Sequence, residues 1–168
     1  MKSKIYLLGL ILGVVLVAGC VAELPPVDDA GSLESGERAA ILVTDQQQID
    51  DALENGPVLI KAGADWCPPC RQLDPVIDGL ARDYEGRATV MYIDTELTPG
   101  LGAKFNVYSI PDTTVIVDIE DGNYVFMRYG GVKEMDRNKA RIIGYMDKGT
   151  FETILDHAIE YREDISEG

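Results

Sequence analysis

An apolar run that starts at Pro57-Val58-Leu59-Ile60 ends at Trp66-Cys67-Pro68-Pro69-Cys70. From Pro68 to about Tyr84 the sequence then changes to helical period, with Leu73, Val76, Ile77 and Leu80 on one side. A buried strand feeding directly into a helix, with two cysteines at the junction, restricts the chain to folds in which a central sheet is covered by helices. Pro75 falls inside the helix, where its missing N–H and its clash with the preceding turn predict a kink.

The flanking segments fill in that architecture. Residues 40–43 are short, apolar and β-compatible. Asp45 followed by Gln48 fits a capping box, and Ile49, Ala52 and Leu53 give the next helix one apolar face before Asn55-Gly56 ends it. Residues 88–93 read as a strand, 99–105 as a short helix, and 113–119 as a strand rich in β-branched residues. Phe151, Ile154, Leu155, Ala158 and Ile159 recur at helical spacing and define a closing helix. The expected fold class is α/β: a central mixed sheet flanked by helices on both faces, with an extended late hairpin.

The first residues differ in kind. Lys2 and Lys4 precede an apolar run over 5–17, and Val17-Ala18-Gly19-Cys20 closes it, the grammar of an export signal. The last four residues resemble a lipobox, which makes 1–19 a lipoprotein-type signal peptide and Cys20 the lipidated first mature residue. An uncleaved signal anchor is the competing reading, since 5–22 is just long enough to span a bilayer. Either way the domain is expected on the outer, extracytoplasmic face of the cell membrane. Residues 20–38, with Pro25-Pro26, Asp28-Asp29 and Gly31-Ser32, read as a stalk, leaving 39–168 as the folded domain. The 168 residues carry a formal charge of −14, which argues against nucleic acid as a partner, because phosphate binding needs a basic patch.

Disulfide exchange needs a thiolate that attacks and a second thiol close enough to resolve the mixed disulfide. Cys67 and Cys70 open a helix, whose free N–H groups and partial positive charge stabilise the first sulfur as thiolate. Cys67 is therefore expected to be the exposed attacker and Cys70 the more buried resolver, with Trp66 shielding the pair and offering an apolar surface to a substrate chain. A structural zinc needs four ligands, and beyond the pair this chain has only Cys20 in the leader and His157 in the last helix. A purely structural disulfide across two residues closes too small a loop to constrain much of the chain.

From these residues the chain resembles the thioredoxin family over about 40–161. The spacing from Cys67 to Pro75 is the family's, and Ser109-Ile110-Pro111 resembles the loop that holds its cis-proline. The resemblance implies that Pro111 faces the disulfide and that this loop presents backbone to the substrate. Residues 141–145, Arg-Ile-Ile-Gly-Tyr, look like the last strand and its glycine loop, with Gly144 as the glycine. A rival alignment gives that role to Tyr129-Gly130. The Trp-Cys-Pro-Pro-Cys wording is similar to that of tryparedoxin and nucleoredoxin, and the exported, anchored layout to membrane-tethered reductases of the family.

Three departures stand out. Where family members bury an aspartate beneath the resolving cysteine, this chain has Lys61, expected to snorkel its amine to the surface. The lysine partner of that aspartate falls at Val90. Some dozen extra residues between Asp121 and Lys139 are expected to lengthen the hairpin before Arg141, away from the active-site edge. The functional expectation is a thiol–disulfide oxidoreductase, more a reductase than an oxidase. It needs no cofactor. Its partners would be protein disulfides of exported proteins and a membrane or soluble electron donor. A tethered disulfide oxidase and a soft-metal (copper) module on the cysteine pair stay open, although Met91, Met127, Met135 and Met146 show no clustering with it.

Overall fold

A computed structural model describes residues 38–167. The leader, Cys20 and the stalk up to residue 37 lie outside the described residues. Strand β1 (Ile41–Leu42) is followed by α1 (Gln47–Leu53), β2 (Val58–Gly63), α2 (Pro68–Asp83), β3 (Thr89–Asp94) and α3 (Pro99–Lys104). Then come β4 (Asp112–Glu120), β5 (Asn123–Arg128), β6 (Val132–Glu134), α4 (Arg137–Ala140), β7 (Ile142–Ile143) and α5 (Lys148–Glu167). The capping box forms as expected: the Gln48 carboxamide oxygen accepts the Asp45 N–H, and Asp45 accepts the Gln48 N–H, both at 3.3 Å.

The sheet runs β1-β3-β2-β4-β5-β6, with β1, β2 and β3 parallel and β4 antiparallel to β2. Strand parity divides its side chains between two cores. Leu59, Val90, Tyr92, Val115 and Val117 pack on Leu73, Ile77 and Leu80 of α2 and Phe151, Ile154 and Leu155 of α5. Val58, Ile60, Ala62, Met91, Ile93 and Ile116 face the other way, onto Ile49 and Leu53 of α1 and Leu101 of α3. Fully burying each such Leu or Ile is worth roughly 1.5–3 kcal/mol. Helices cover both faces of a mixed sheet, as the pattern predicts.

The late part of the chain departs from expectation. The hairpin between β4 and β5 turns tightly at Asp121-Gly122, both at positive φ, and the extra residues do not lengthen it. They add β6 as a third strand on β5, then one turn of helix at α4. The chain then comes back to the same edge of β4: β5 pairs with Val115 to Glu120, while β7 pairs with Asp112 and Thr113. The insertion is therefore not wholly remote from the cysteine end, because its Arg137 reaches Asp112 there, beside Arg141 from the segment that follows.

Candidate active site

Cys67 caps α2, and its Sγ is bonded to that of Cys70. The pair sits at the strand-to-helix junction because β2 ends at Gly63 and the Cys67 N–H bonds back to the Ala64 carbonyl at 3.1 Å. Pro68 and Pro69 occupy the first helical positions, where a missing N–H costs no helix bond. They also remove two donors from the neighbourhood of Cys67. The N–H that reaches its sulfur is that of Cys70, at 3.3 Å. Cys70 is fully buried, as expected, but Cys67 keeps only 3% of its surface, so the expected exposed attacker is itself buried in the disulfide form.

The Ile110–Pro111 bond is cis, and the Ile110 carbonyl oxygen lies 3.9 Å from Cys67 Sγ. The loop before β4 thus presents backbone to the disulfide. Gly144 donates its N–H to the Pro111 carbonyl at 2.8 Å with φ at +92°, a conformation that favours glycine. It is Gly144, not Gly130, that adjoins the cis-proline. Trp66 is 62% exposed, and Tyr108, Ile143 and Tyr145 are also exposed, on the segments that adjoin the pair and Pro111. His157 lies on the surface of α5 beside Glu160.

Two groups of charges lie behind this opening. Lys61 does not snorkel. Parity turns it to the α2 side of β2 with Leu59, where Cys70 and Asp74, one helical turn apart, face the sheet. It is 1% exposed, and its Nζ donates to Asp74 Oδ1 at 2.7 Å and lies 4.5 Å from the Tyr92 ring centroid. Burial pushes the Lys61 amine below its ordinary range, and the Asp74 carboxylate partly offsets this. Arg38 bridges Asp65 at 2.6 Å and Asp74 at 3.6 Å and lies over the Tyr92 ring. Sequence reading missed Asp74. The signal was its place four residues after Cys70 on a helix that must face Lys61.

The second group surrounds Asp112, which is fully buried directly after Pro111. Arg137 and Arg141 both bind it, and Arg141 also donates to the Asn106 carbonyl at 2.9 Å and stacks 3.8 Å from the Tyr108 ring centroid. These arginines tie the insertion to the loop that carries Pro111.

A strand-helix junction with a cysteine disulfide, a cis-proline loop beside it and a mixed sheet behind defines a dithiol redox fold. The family model Thioredoxin matches residues 40–144. A thioredoxin of Staphylococcus saprophyticus is 40% identical over 82 residues, spanning 49% of this chain and 78% of that protein. A thioredoxin of Staphylococcus aureus strain Mu50 is 40% identical over 80 residues, 48% of this chain and 76% of that one. Among solved structures, a point mutant of the thioredoxin from Halobacterium salinarum NRC-1 has a TM-score of 0.53 at 25% identity, covering 74% of this chain and 96% of that one. Chloroplastic thioredoxin z, at 19% identity and a TM-score of 0.54 over 73% of this chain and 95% of that one, shares the fold. The chain belongs to the thioredoxin family. It is a redox protein of that family with a disulfide-forming Cys67–Cys70 pair.

Proposed function

We propose that this chain is a membrane-anchored thiol–disulfide oxidoreductase that reduces disulfides of exported proteins. The observation that carries the redox reading is the Cys67–Cys70 disulfide at the head of α2, facing the Ile110 carbonyl. A substrate segment laid along that loop, against Trp66 and Tyr108, brings its disulfide to Cys67. The Cys67 thiolate attacks one substrate sulfur and the other leaves as a thiol. Cys70 then attacks Cys67 and releases the second.

The reductase direction draws its support from the donors available to Cys67. With Pro68 and Pro69 lacking N–H groups, its thiolate has less local stabilisation, and a less stabilised reduced form is the better reductant. Equilibrating the chain against a glutathione redox buffer tests this. A reduction potential near thioredoxin's, about −270 mV, supports a reductase, and one near the strong periplasmic oxidants, about −120 mV, supports the oxidase instead.

The anchor is proposed from the leader. Two acyl signals are needed for stable attachment, since one chain binds only marginally, so a diacylated Cys20 is the natural tether. Cell fractionation of Cys20→Ala should find the protein released, or with its leader uncut. Processing and membrane retention like the parent's would refute it.

A further inference from the structure

We propose that Lys61, locked in place by Asp74, is the charge-setting group of the resolving step, lowering the barrier to ionisation of Cys70. The proposal rests on the reading of Cys67 and Cys70 as a redox couple.

The geometry centres on Gly63. A Cβ at this residue would fall 2.7 Å from Lys61 Nζ, 2.9 Å from its Cε and 3.2 Å from Cys70 Sγ. The amine and the sulfur therefore flank one small space that only glycine leaves open. Their separation lies within the roughly 4–6 Å over which an opposite charge favours ionisation. Cys70 is fully buried, and burial alone disfavours its thiolate. A buried ammonium beside it offsets that penalty. The groups that face the amine are Asp74 from α2, Tyr92 from β3, and Arg38 and Asp65 from the segments flanking β1 and β2. Asp74 holds the amine against the penalty of burial, and Arg38, paired chiefly with Asp65 at 2.6 Å, lies 3.6 Å from the same carboxylate. The family's buried carboxylate is replaced by a lysine on the strand and an aspartate on the helix.

When substrate R is bound to Cys67 as a mixed disulfide, Cys70 loses its proton and its sulfur attacks Cys67 Sγ. The Cys67–substrate S–S bond breaks, the Cys67–Cys70 bond forms, and the departing substrate thiolate takes up the proton, giving R–SH. Lys61 supplies field, not protons, and is a positioning residue.

The test is a thiolate absorbance titration of Cys70 in a Cys67→Ser background. Lys61→Met should raise the Cys70 pKa by about 1–3 units; an unchanged value overturns the proposal. If Lys61→Met does not fold, the unsubstituted chain serves. The Lys61 13Cε resonance should titrate at higher pH in the reduced than in the oxidised protein, because a thiolate beside the ammonium stabilises it. Identical Lys61 titrations in both redox states overturn the proposal. Insulin reduction by the parent chain is read separately. Its absence would refute the redox function, while the Lys61–Cys70 coupling stays measurable.

Discussion

Arg137 lays both terminal nitrogens of its guanidinium on Asp112, 2.8 Å from Oδ1 and 3.2 Å from Oδ2. Arg141 takes the remaining approach at 3.1 Å from Oδ2. One buried carboxylate thus answers two nearly buried cations, and it immediately follows Pro111. Removing one partner of a buried ion pair costs about 3–5 kcal/mol, because the other charge is left uncompensated. Asp112→Asn should lower the unfolding free energy by an amount of that order, read as a fall in the urea midpoint at unchanged slope. It should also slow disulfide reduction in the fraction still folded, since the loop before β4 loses its ties. A variant as stable as the parent would show that the triad contributes nothing net.

Cys67→Ser should abolish disulfide reduction, whereas Cys70→Ser should accumulate mixed disulfides with substrate proteins, visible on non-reducing gels. The asymmetry follows from position. Cys67 Sγ lies by the Ile110 carbonyl of the cis-proline loop, while Cys70 is fully buried. Equal residual turnover in the two variants would contradict the division between attacker and resolver.

Pro68→Gly restores one N–H at the head of α2. An added dipole contribution at a helix N-terminus is worth about 0.3–1 kcal/mol, so the Cys67 pKa should fall by a fraction of a unit and the couple should become slightly more oxidising. A thiolate absorbance titration measures this. A rise in pKa would refute the donor-counting argument. A parent Cys67 pKa well below about 5 would overturn the reductase direction.

Alkaline pH should destabilise the oxidised protein. Burial, joined by hydroxyl donation to Asp156, raises Tyr84 above its ordinary range, and burial with donation to Asp50 does the same for Tyr124. Tyr92 is pushed up to about 12 by burial and by Asp94. Above pH about 10 the unfolded chain loses these protons while the folded one keeps them, so their stabilisation is full below that pH and drains as pH rises further. Lys61 works in the opposite sense, since its folded form gives up its proton below the unfolded value, but one lysine faces three tyrosines. The Tm should fall between pH 9 and 11, and Tyr84→Phe should flatten part of the fall. A Tm constant to pH 11 would contradict the assignment.

Much of this is legible in the sequence because local pattern and tertiary structure agree. The apolar run into Trp66-Cys67-Pro68-Pro69-Cys70, Pro111 before a β-branched strand, and Gly144 before a final helix each carry a backbone requirement that sequence states directly. Lys61 misleads because a lone lysine in a strand defaults to snorkelling, and its partner lies thirteen residues away on another element. Its burial is a tertiary fact. It emerges only when strand parity on β2 is combined with the one-turn spacing of Cys70 and Asp74. The extra residues before Arg141 are hard to read for a different reason. Three residues of β6, four of α4 and two of β7 are too short to impose a period.

That brief β7 leaves the two segments beside the disulfide held with unequal strength. On one side the cysteine pair rides on a sixteen-residue helix packed along its length by Leu73, Ile77 and Leu80. On the other, Ile143 and Tyr145 stand at a margin secured by two residues of strand pairing and the Gly144 bond to Pro111, beyond which β4 is held independently by β5. A boundary fastened by so few bonds belongs to the part of a protein that opens locally without global unfolding. The sulfurs therefore ride on a fixed anvil, and the margin at Gly144 is the jaw that can yield.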